Sequence, residues 1–255
     1  MAARSRIVMS STMTRMIAFL YALACHGIFA LAGLAMLVQL HQGMTLGLGP
    51  FEGWAALIAN ALLLAQFPLG HSGFLTRRGQ GVLARLAPFG LGKTLATTSY
   101  ATIASVQLLL LFGLWSPSGV VWVRLEGAAL VAVTLAYLGG WALLTKASFD
   151  AGPTLQAGVI GWWAVWRGKR PVFPPMPTKG LFRIVRQPIY VSFALVLWLV
   201  PVWTPDQLVL AVSYTAYCVF APRLKERRFV RMFGEEFERY RAEVPYWLPR
   251  LGKRS

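Results

Sequence analysis

The chain has 255 residues, of which 56% are hydrophobic and only 13% are charged. In soluble domains about a quarter of all residues are charged. This composition therefore excludes an ordinary soluble domain and predicts an integral membrane protein. The formal net charge of +16 does not indicate a nucleic-acid partner, because the basic residues lie between apolar runs, where anionic lipid headgroups attract them.

Long apolar runs predict four transmembrane helices in the first part of the chain, and each is long enough to cross the hydrocarbon core of a bilayer. They cover residues 16–40, 51–70, 95–115 and 121–144. A basic loop, 72–93, separates the second run from the third, and a short turn, 116–119, separates the third from the fourth. The next segment, 146–187, is basic and rich in Gly and Pro, and its tryptophans are expected to anchor it at the membrane interface.

Two shorter apolar runs, 191–203 and 208–221, predict a helical hairpin around a turn at 204–206. The tail, 226–246, places aromatic residues at three- and four-residue steps. This spacing predicts an amphipathic helix that either lies against the membrane or caps a site. Because lipid cannot satisfy free backbone groups, the predicted fold class is all-α, with about six transmembrane helices and this C-terminal cytoplasmic helix.

The basic residues are distributed unevenly across the predicted membrane. Of the 25 lysines and arginines, Arg124 alone falls on one side, whereas the others lie in the N-terminus, the 72–93 loop, the 146–187 segment and the tail. The positive-inside rule therefore predicts a multi-pass protein of the cell inner membrane with both termini in the cytoplasm. We call the side with these basic segments the basic face, and the opposite side the far face.

The segments that flank the hairpin, 186–190 (RQPIY) and 223–228 (RLKERR), are expected to meet at the basic face, because the turn returns the chain to the side from which it came. An acid at the end of a membrane helix is costly without a partner. Glu226 is therefore expected either to contact a ligand or to form an ordinary helix-end pair with Arg223 or Arg227.

The motifs of this region, taken with their spacing, resemble those of integral-membrane methyltransferases that use S-adenosylmethionine. That superfamily includes isoprenylcysteine carboxyl methyltransferase, phospholipid N-methyltransferases, NnrU-like proteins and methanethiol S-methyltransferase. The matching positions are Arg186-Gln187-Pro188-Ile189-Tyr190, Glu226-Arg227, Phe233-Gly234, Phe237, Tyr240 and Val244-Pro245. The chain departs from the pattern at Gln187, where the family usually has His, and Gln exchanges hydrogen bonds but carries no proton.

The resemblance implies a four-helix membrane part over 1–145 and a methyltransferase core over 146–255, which contains the cofactor-binding loop, the hairpin and the tail. It implies S-adenosylmethionine as the cofactor. The residues expected to bind it are Arg186, Gln187, Pro188, Tyr190, Glu226 and Tyr240. In the family the Glu that matches Glu226 contacts the amino group of this cofactor, and Glu226 and Arg186 are therefore also predicted to be catalytic.

His71, with Ser72 and Arg77, resembles a segment of the NnrU-like and methanethiol-methylating members and is the third predicted catalytic residue. It lies at the basic-face end of the second run. It is expected either to accept a thiol proton or to orient a substrate, and a locally hydrogen-bonded structural His is the alternative. His26 and His41 are expected to be structural.

The two cysteines, Cys25 and Cys218, lie within apolar runs and lack the spacing of metal ligands. They are expected to be buried small hydrophobes, and no metal site is predicted.

These expectations together favour an enzyme that moves a methyl group from S-adenosylmethionine to a small or apolar acceptor. A thiol of the methanethiol type ranks first, and a lipid or a prenylated cysteine ranks second. An NnrU-like haem-dependent isomerase, with a His as the iron ligand, and a non-enzymatic membrane module are the alternatives. The expected partners are the acceptor and membrane lipids, and the sequence makes no prediction of oligomeric state.

Overall fold

A computed structural model describes residues 11–87 and 90–250, and these residues form an almost entirely helical structure. The helices are α1 (Ser11–His41), α2 (Gly53–Gly73), α3 (Arg77–Leu86), α4 (Gly92–Gly113), α5 (Gly127–Asp150), α6 (Pro153–Gln156), α7 (Val159–Trp166), α8 (Pro188–Trp198), α9 (Pro205–Phe233) and α10 (Glu235–Glu243). Two short strands, β1 (Val123–Arg124) and β2 (Val202–Trp203), pair with each other, and a 3-10 turn covers Gly180–Arg183. The predicted all-α class is confirmed.

Within the described residues, four helices are long and apolar enough to cross a membrane, namely α1, α2, α4 and α5. They correspond to the four predicted runs of the first part of the chain. The fourth differs at both ends, because β1 occupies Val123 and Arg124, so that α5 begins at Gly127 and continues to Asp150. The division of the chain at residue 145 stays a prediction, and it falls inside this helix.

The hairpin is formed by α8 and α9, which pack against each other. Pro188 occupies the first turn of α8, where its missing N–H costs nothing. Thr204 caps α9, since its Oγ1 accepts a hydrogen bond from the Gln207 N–H at 2.9 Å. With 11 residues α8 is about 16 Å long, shorter than a hydrocarbon core of about 30 Å. The count of six transmembrane helices therefore stays a prediction.

Two groups of helices make up the bundle. α4 contacts α1, α2, α3 and α7, whereas α5 packs on α8 and α8 on α9, with α2 joining α9 to the first group. The largest core cluster lies between the groups and contains fully buried aromatic side chains. These are Phe112, Trp115, Tyr137 and Tyr214. The second half of the chain is thus packed against the four long helices.

Buried hydrogen bonds hold the far face together. The Asp206 carboxylate accepts from the Trp115 indole N–H at 3.0 Å and from the backbone N–H and the hydroxyl of Ser118 at 3.0 and 2.5 Å. The Trp122 N–H donates to the Trp203 carbonyl at 2.9 Å, next to the β1–β2 pair. Asp206 therefore does more than favour a turn, because it fastens the start of α9 to the loop that follows α4.

Two segments predicted as loops contain helices. The 72–93 loop holds α3, which packs on α4, and the 146–187 segment holds α7, which packs on α1 and α4. The Trp162 indole of α7 donates to His26 Nε2 at 3.1 Å, and His41 Nε2 lies 3.0 Å from the Thr134 hydroxyl. These contacts fit the structural role predicted for both histidines, and Cys25 and Cys218 are buried and form no disulfide, as expected.

The tail differs from the single helix predicted over 226–246. Gly234 has φ 54° and ψ −126°, a conformation that favours glycine, and it separates α9 from α10. The break turns α10 back toward α9, so that the rings of Phe229 and Phe237 meet edge to face at 5.6 Å. The residues predicted to form one amphipathic face therefore lie on two helices that pack against each other.

Candidate active site

The 3-10 turn that leads into the site is fixed by the end of α5. Asp150 Oδ2 accepts a hydrogen bond from the Leu181 N–H at 2.8 Å, and Oδ1 pairs with Lys146. Gly180 has φ 58°, and a Cβ there would overlap the Asp150 carboxylate. Asp150, to which the sequence assigned no role, thus positions the backbone that carries Arg183 and Arg186.

Arg186 and Glu226 form an ion pair at the basic face, although 40 positions separate them. Arg186 Nε donates to Glu226 Oε1 at 2.8 Å, and Nη2 lies 3.4 Å from Oε2. The two side chains are only 10% and 11% exposed, so water screens their attraction weakly. The expected pairing of Glu226 with Arg223 or Arg227 is not the observed one.

Backbone groups of the tail hold the rest of the Arg186 side chain. Its Nη1 donates to the carbonyls of Arg241 at 2.9 Å and Val244 at 2.5 Å. The backbone N–H of Arg186 donates to the Pro245 carbonyl at 2.9 Å, and its guanidinium lies over the Tyr246 ring at 5.5 Å. The segment that follows α10 is therefore docked onto the residues just before α8.

Gln187 connects the ion pair to a second cation. Its Nε2 donates to Glu226 Oε1 at 2.8 Å, and its Oε1 accepts from Lys225 Nζ at 3.2 Å. The residue is 2% exposed, and both ends of its amide have a partner. In this chain Gln187 thus uses its amide to connect Lys225 with Glu226, a role for which it needs no proton of its own.

Tyr240 and Tyr190 both adjoin this cluster. The Tyr240 hydroxyl donates to the Phe182 carbonyl at 2.7 Å, and the Tyr190 ring lies 6.0 Å from Lys225 Nζ. Burial raises the pKa of Tyr240; the charge of Arg186 lowers this pKa and that of Glu226 raises it further. Tyr240 is therefore a neutral hydroxyl at physiological pH.

A cavity of about 470 Å³ lies beside Tyr240, between α10 and the segment that precedes the 3-10 turn. Its wall carries groups of both charges. The lining residues are Met176, Thr178, Arg183, Glu236, Arg239, Tyr240, Glu243 and Val244. A cavity with guanidinium and carboxylate groups on its wall suits a ligand that is itself zwitterionic.

His71 lies at the end of α2, and no hydrogen bond joins it to the ion pair within the described chain. Its ring stacks on Phe67 at 4.9 Å and is tilted against Tyr100 at 5.1 Å. Its Nδ1 is buried and has no hydrogen-bond partner among the described residues. Arg228 of α9 lies between the two regions, since its Nη1 contacts the Leu75 carbonyl at 3.4 Å.

The structure therefore groups most of the predicted site residues and separates one. Arg186, Gln187, Glu226 and Tyr240 form one cluster with Tyr190 at its edge. Pro188 begins α8 beside them, and His71 belongs to a neighbouring aromatic region. Lys225 also lies inside the cluster but was not predicted, because its place in a run of basic residues is typical of a solvated surface.

The fold and the site together define an integral-membrane enzyme whose polar centre lies at the helix ends of one face. No family model and no solved structure matches the chain. Methanethiol S-methyltransferase 1 of Bradyrhizobium diazoefficiens is 30% identical over 248 residues, which are 95% of this chain and 85% of that protein. Methanethiol S-methyltransferases of a Pseudomonas species and of Pseudomonas deceptionensis are 29% and 30% identical, over 91% and 81% of this chain and 89% and 78% of their own lengths.

The chain therefore belongs to the methanethiol S-methyltransferase family. It is a methyltransferase, and the resemblance that its motifs carry is confirmed.

Proposed function

We propose that this enzyme transfers the methyl group of S-adenosylmethionine to a small thiol, of which methanethiol is the first candidate. The names of its relatives support the acceptor. One observation above all supports the site: Arg186 and Gln187 before the hairpin converge on Glu226 after it. We further propose that the protein lies in the inner membrane with this site on the cytoplasmic side.

The residues around the cluster fit the methyl donor. Its methionine part is zwitterionic, and the 470 Å³ cavity offers Arg183 and Arg239 to a carboxylate and Glu236 and Glu243 to an amino group. Glu226 is a further partner for the amino group: within the described chain, its Oε2 receives only the 3.4 Å contact from Arg186 and so keeps acceptor capacity. Tyr240 lines the cavity and adjoins the cluster, and thereby links the two.

The proposed roles of the cluster residues follow from their contacts. Arg186 orients the Glu226 carboxylate and fixes the tail, so its predicted catalytic role becomes a positioning role in this proposal. Pro188 holds the first turn of α8, and Tyr190 places an aromatic face beside the polar groups. S-adenosylmethionine supplies an activated methyl on a sulfonium, whose positive charge favours an aromatic and carboxylate-lined site.

The acceptor half of the site is proposed around His71. Phe67 and Tyr100 enclose its ring, which suits a small apolar thiol that arrives from the membrane. We propose that His71 orients the acceptor. Attack of a thiolate on a sulfonium methyl cancels opposite charges, and a site with little water favours that cancellation.

The test uses protein purified in detergent and S-adenosylmethionine labelled in its methyl group. Methanethiol, larger thiols, a prenylated cysteine and phospholipids are offered in parallel, and the products are identified by mass spectrometry. Labelled dimethyl sulfide is the expected main product. A labelled lipid or prenylcysteine in its place, or no labelled product at all, would contradict the proposed acceptor.

A further inference from the structure

Lys225 lies inside the cluster and has no part in the proposed binding of the methyl donor. Its Nζ is within cation–π distance of three aromatic rings, at 5.3 Å from Phe229, 5.6 Å from Phe182 and 6.0 Å from Tyr190. It donates to Gln187 Oε1 at 3.2 Å, and the side chain is partly exposed. Tyr190 connects this lysine with the proposed acceptor region, because it also lies near Tyr100, whose ring packs against His71 at 5.1 Å. A lysine in this position needs an explanation other than a surface charge.

Charged and titratable groups surround Lys225 on every packed element. Glu226 and Arg228 are its neighbours on α9, Tyr190 faces it from α8, Arg186 lies before α8, and Tyr240 of α10 adjoins Glu226. Lys225 lies beyond the predicted apolar run of α9. Burial lowers its pKa to about 8; the charge of Glu226 raises this pKa and that of Arg228 lowers it. A lysine with this pKa is partly neutral near physiological pH and has a free lone pair.

Methyl transfer to a thiol requires such a group. The thiolate is the nucleophile, and a simple alkyl thiol is a weaker acid than the cysteine side chain, whose pKa is about 8.5, so it is almost entirely protonated at neutral pH. A base works best when its pKa lies near the working pH. Among the neighbours of the cluster, Arg186 and Arg228 cannot accept a proton. Glu226 already accepts hydrogen bonds from Arg186 and Gln187, and its remaining acceptor capacity is assigned to the amino group of the methyl donor.

We propose that Lys225 is the general base that takes the proton of the acceptor thiol. This inference rests on the proposed thiol methylation. The S–H bond breaks, its proton binds the lone pair of Lys225 Nζ, and its electrons stay on sulfur. The thiolate then forms a C–S bond with the donor's methyl carbon as the methyl–sulfonium bond breaks, and that electron pair goes to the donor sulfur. The products are a thioether, S-adenosylhomocysteine and an ammonium that returns its proton to water.

The decisive experiment compares two acceptors of similar size, ethanethiol and the far more acidic 2,2,2-trifluoroethanethiol. Lys225→Met keeps an apolar side chain among the aromatic rings but removes the base. Turnover of ethanethiol at pH 7 should fall about 100-fold or more, the range of general-base contributions. Turnover of the acidic thiol should fall less than about tenfold, because a large share of it is ionised without a base. Arg231→Met, at an exposed position further along α9, is the matched control and should change neither rate.

Lys225→Arg separates a base from a mere positive charge. Arginine keeps the charge but cannot take a proton, so this variant should also lose ethanethiol turnover. His71→Ala should slow both thiols equally if His71 orients the acceptor. Equal loss of both thiols in Lys225→Met, or full activity in Lys225→Arg, would overturn the inference. If the wild-type enzyme methylates no thiol, the proposed function fails instead.

A second measurement requires no turnover. Acetic anhydride labels only neutral amines, so the labelling of Lys225 against pH, followed by peptide mass spectrometry, measures the pKa of its ammonium in the intact protein. A midpoint near 8 is expected, with Lys179 as an internal reference. A midpoint near the ordinary lysine value of about 10.4 would overturn the assignment, because a base needs a neutral form at the working pH.

Discussion

Replacing Glu226 with Gln removes the negative charge of the buried ion pair with little change of shape. In the wild type, Arg186 Nε and Gln187 Nε2 both donate to Glu226 Oε1 at 2.8 Å. The variant keeps one amide oxygen as the acceptor for these two donors. Hydrogen bonds to charged groups contribute about 1.5–3 kcal/mol, against about 0.5–1.5 for neutral pairs. Weakening these two bonds should therefore lower the free energy of unfolding by about 2 kcal/mol.

The binding consequence is measured separately. If Glu226 Oε2 accepts the amino group of the methyl donor, Glu226→Gln should weaken the binding of S-adenosylhomocysteine about tenfold or more, which corresponds to about 1.4 kcal/mol. Isothermal titration calorimetry in detergent measures this change, and thermal unfolding measures the stability. Tyr190→Ala should weaken binding too, and the double variant should lose less than the sum, because both residues belong to one pocket.

Glu238→Gln is the matched control for the loss of charge. Glu238 pairs with Arg241 at 2.6 Å, but the two side chains are 42% and 47% exposed, so their pair should contribute less than about 1 kcal/mol. This variant should bind the ligand like the wild type. If Glu226→Gln also keeps wild-type affinity, Glu226 does not contact the donor, and the ion pair has a structural role alone.

Three further outcomes are expected. Reporters fused at Ser255 and within residues 116–119 should fall on opposite sides of the membrane; detection on the same side would reject the predicted topology. His71→Ala should lower turnover with methanethiol while S-adenosylhomocysteine binds with nearly unchanged affinity, and an equal loss of affinity would move His71 into the donor half. Asp206→Ala removes the acceptor of three hydrogen bonds, one buried and two partly buried, and should lower the free energy of unfolding by about 2–4 kcal/mol, whereas Glu126→Ala, at an exposed position, should have little effect on thermal unfolding.

The long helices were predictable because lipid imposes a simple rule on them. An apolar run such as 16–40 must form a helix inside a bilayer, because lipid offers its backbone groups no other hydrogen-bond partners. Hydropathy alone therefore predicts α1. The same rule fails at 121–126, where Val123 is apolar enough for a helix but pairs with Trp203, a residue 80 positions further along. The break at Gly234 was also missed, because glycine permits a helix as well as the turn that it forms here.

Most residues of the site could be predicted from the sequence, but the contacts between their side chains could not. Motif spacing indicated Arg186 and Glu226, and the hairpin brought them to one face. Their pairing depends on side-chain directions at two helix ends, which nearby arginines such as Arg227 obscure in the sequence. Part of the special environment of Lys225 comes from Phe182, which a turn fixed by α5 places against it. No local pattern records that contact.

The hydrogen bonds between Arg186 and the end of the tail all go to main-chain oxygens, at Arg241, Val244 and Pro245, and the Tyr246 ring adds a side-chain contact. Every amino acid has a main-chain oxygen, so the side chain at position 241 can be replaced as long as the backbone keeps the same path. In these hydrogen bonds only the residue at position 186 is constrained, because arginine alone has a planar guanidinium group with several donors. A substitution of Arg241 by Ala should therefore leave this docking intact, because the carbonyl of residue 241 remains in place.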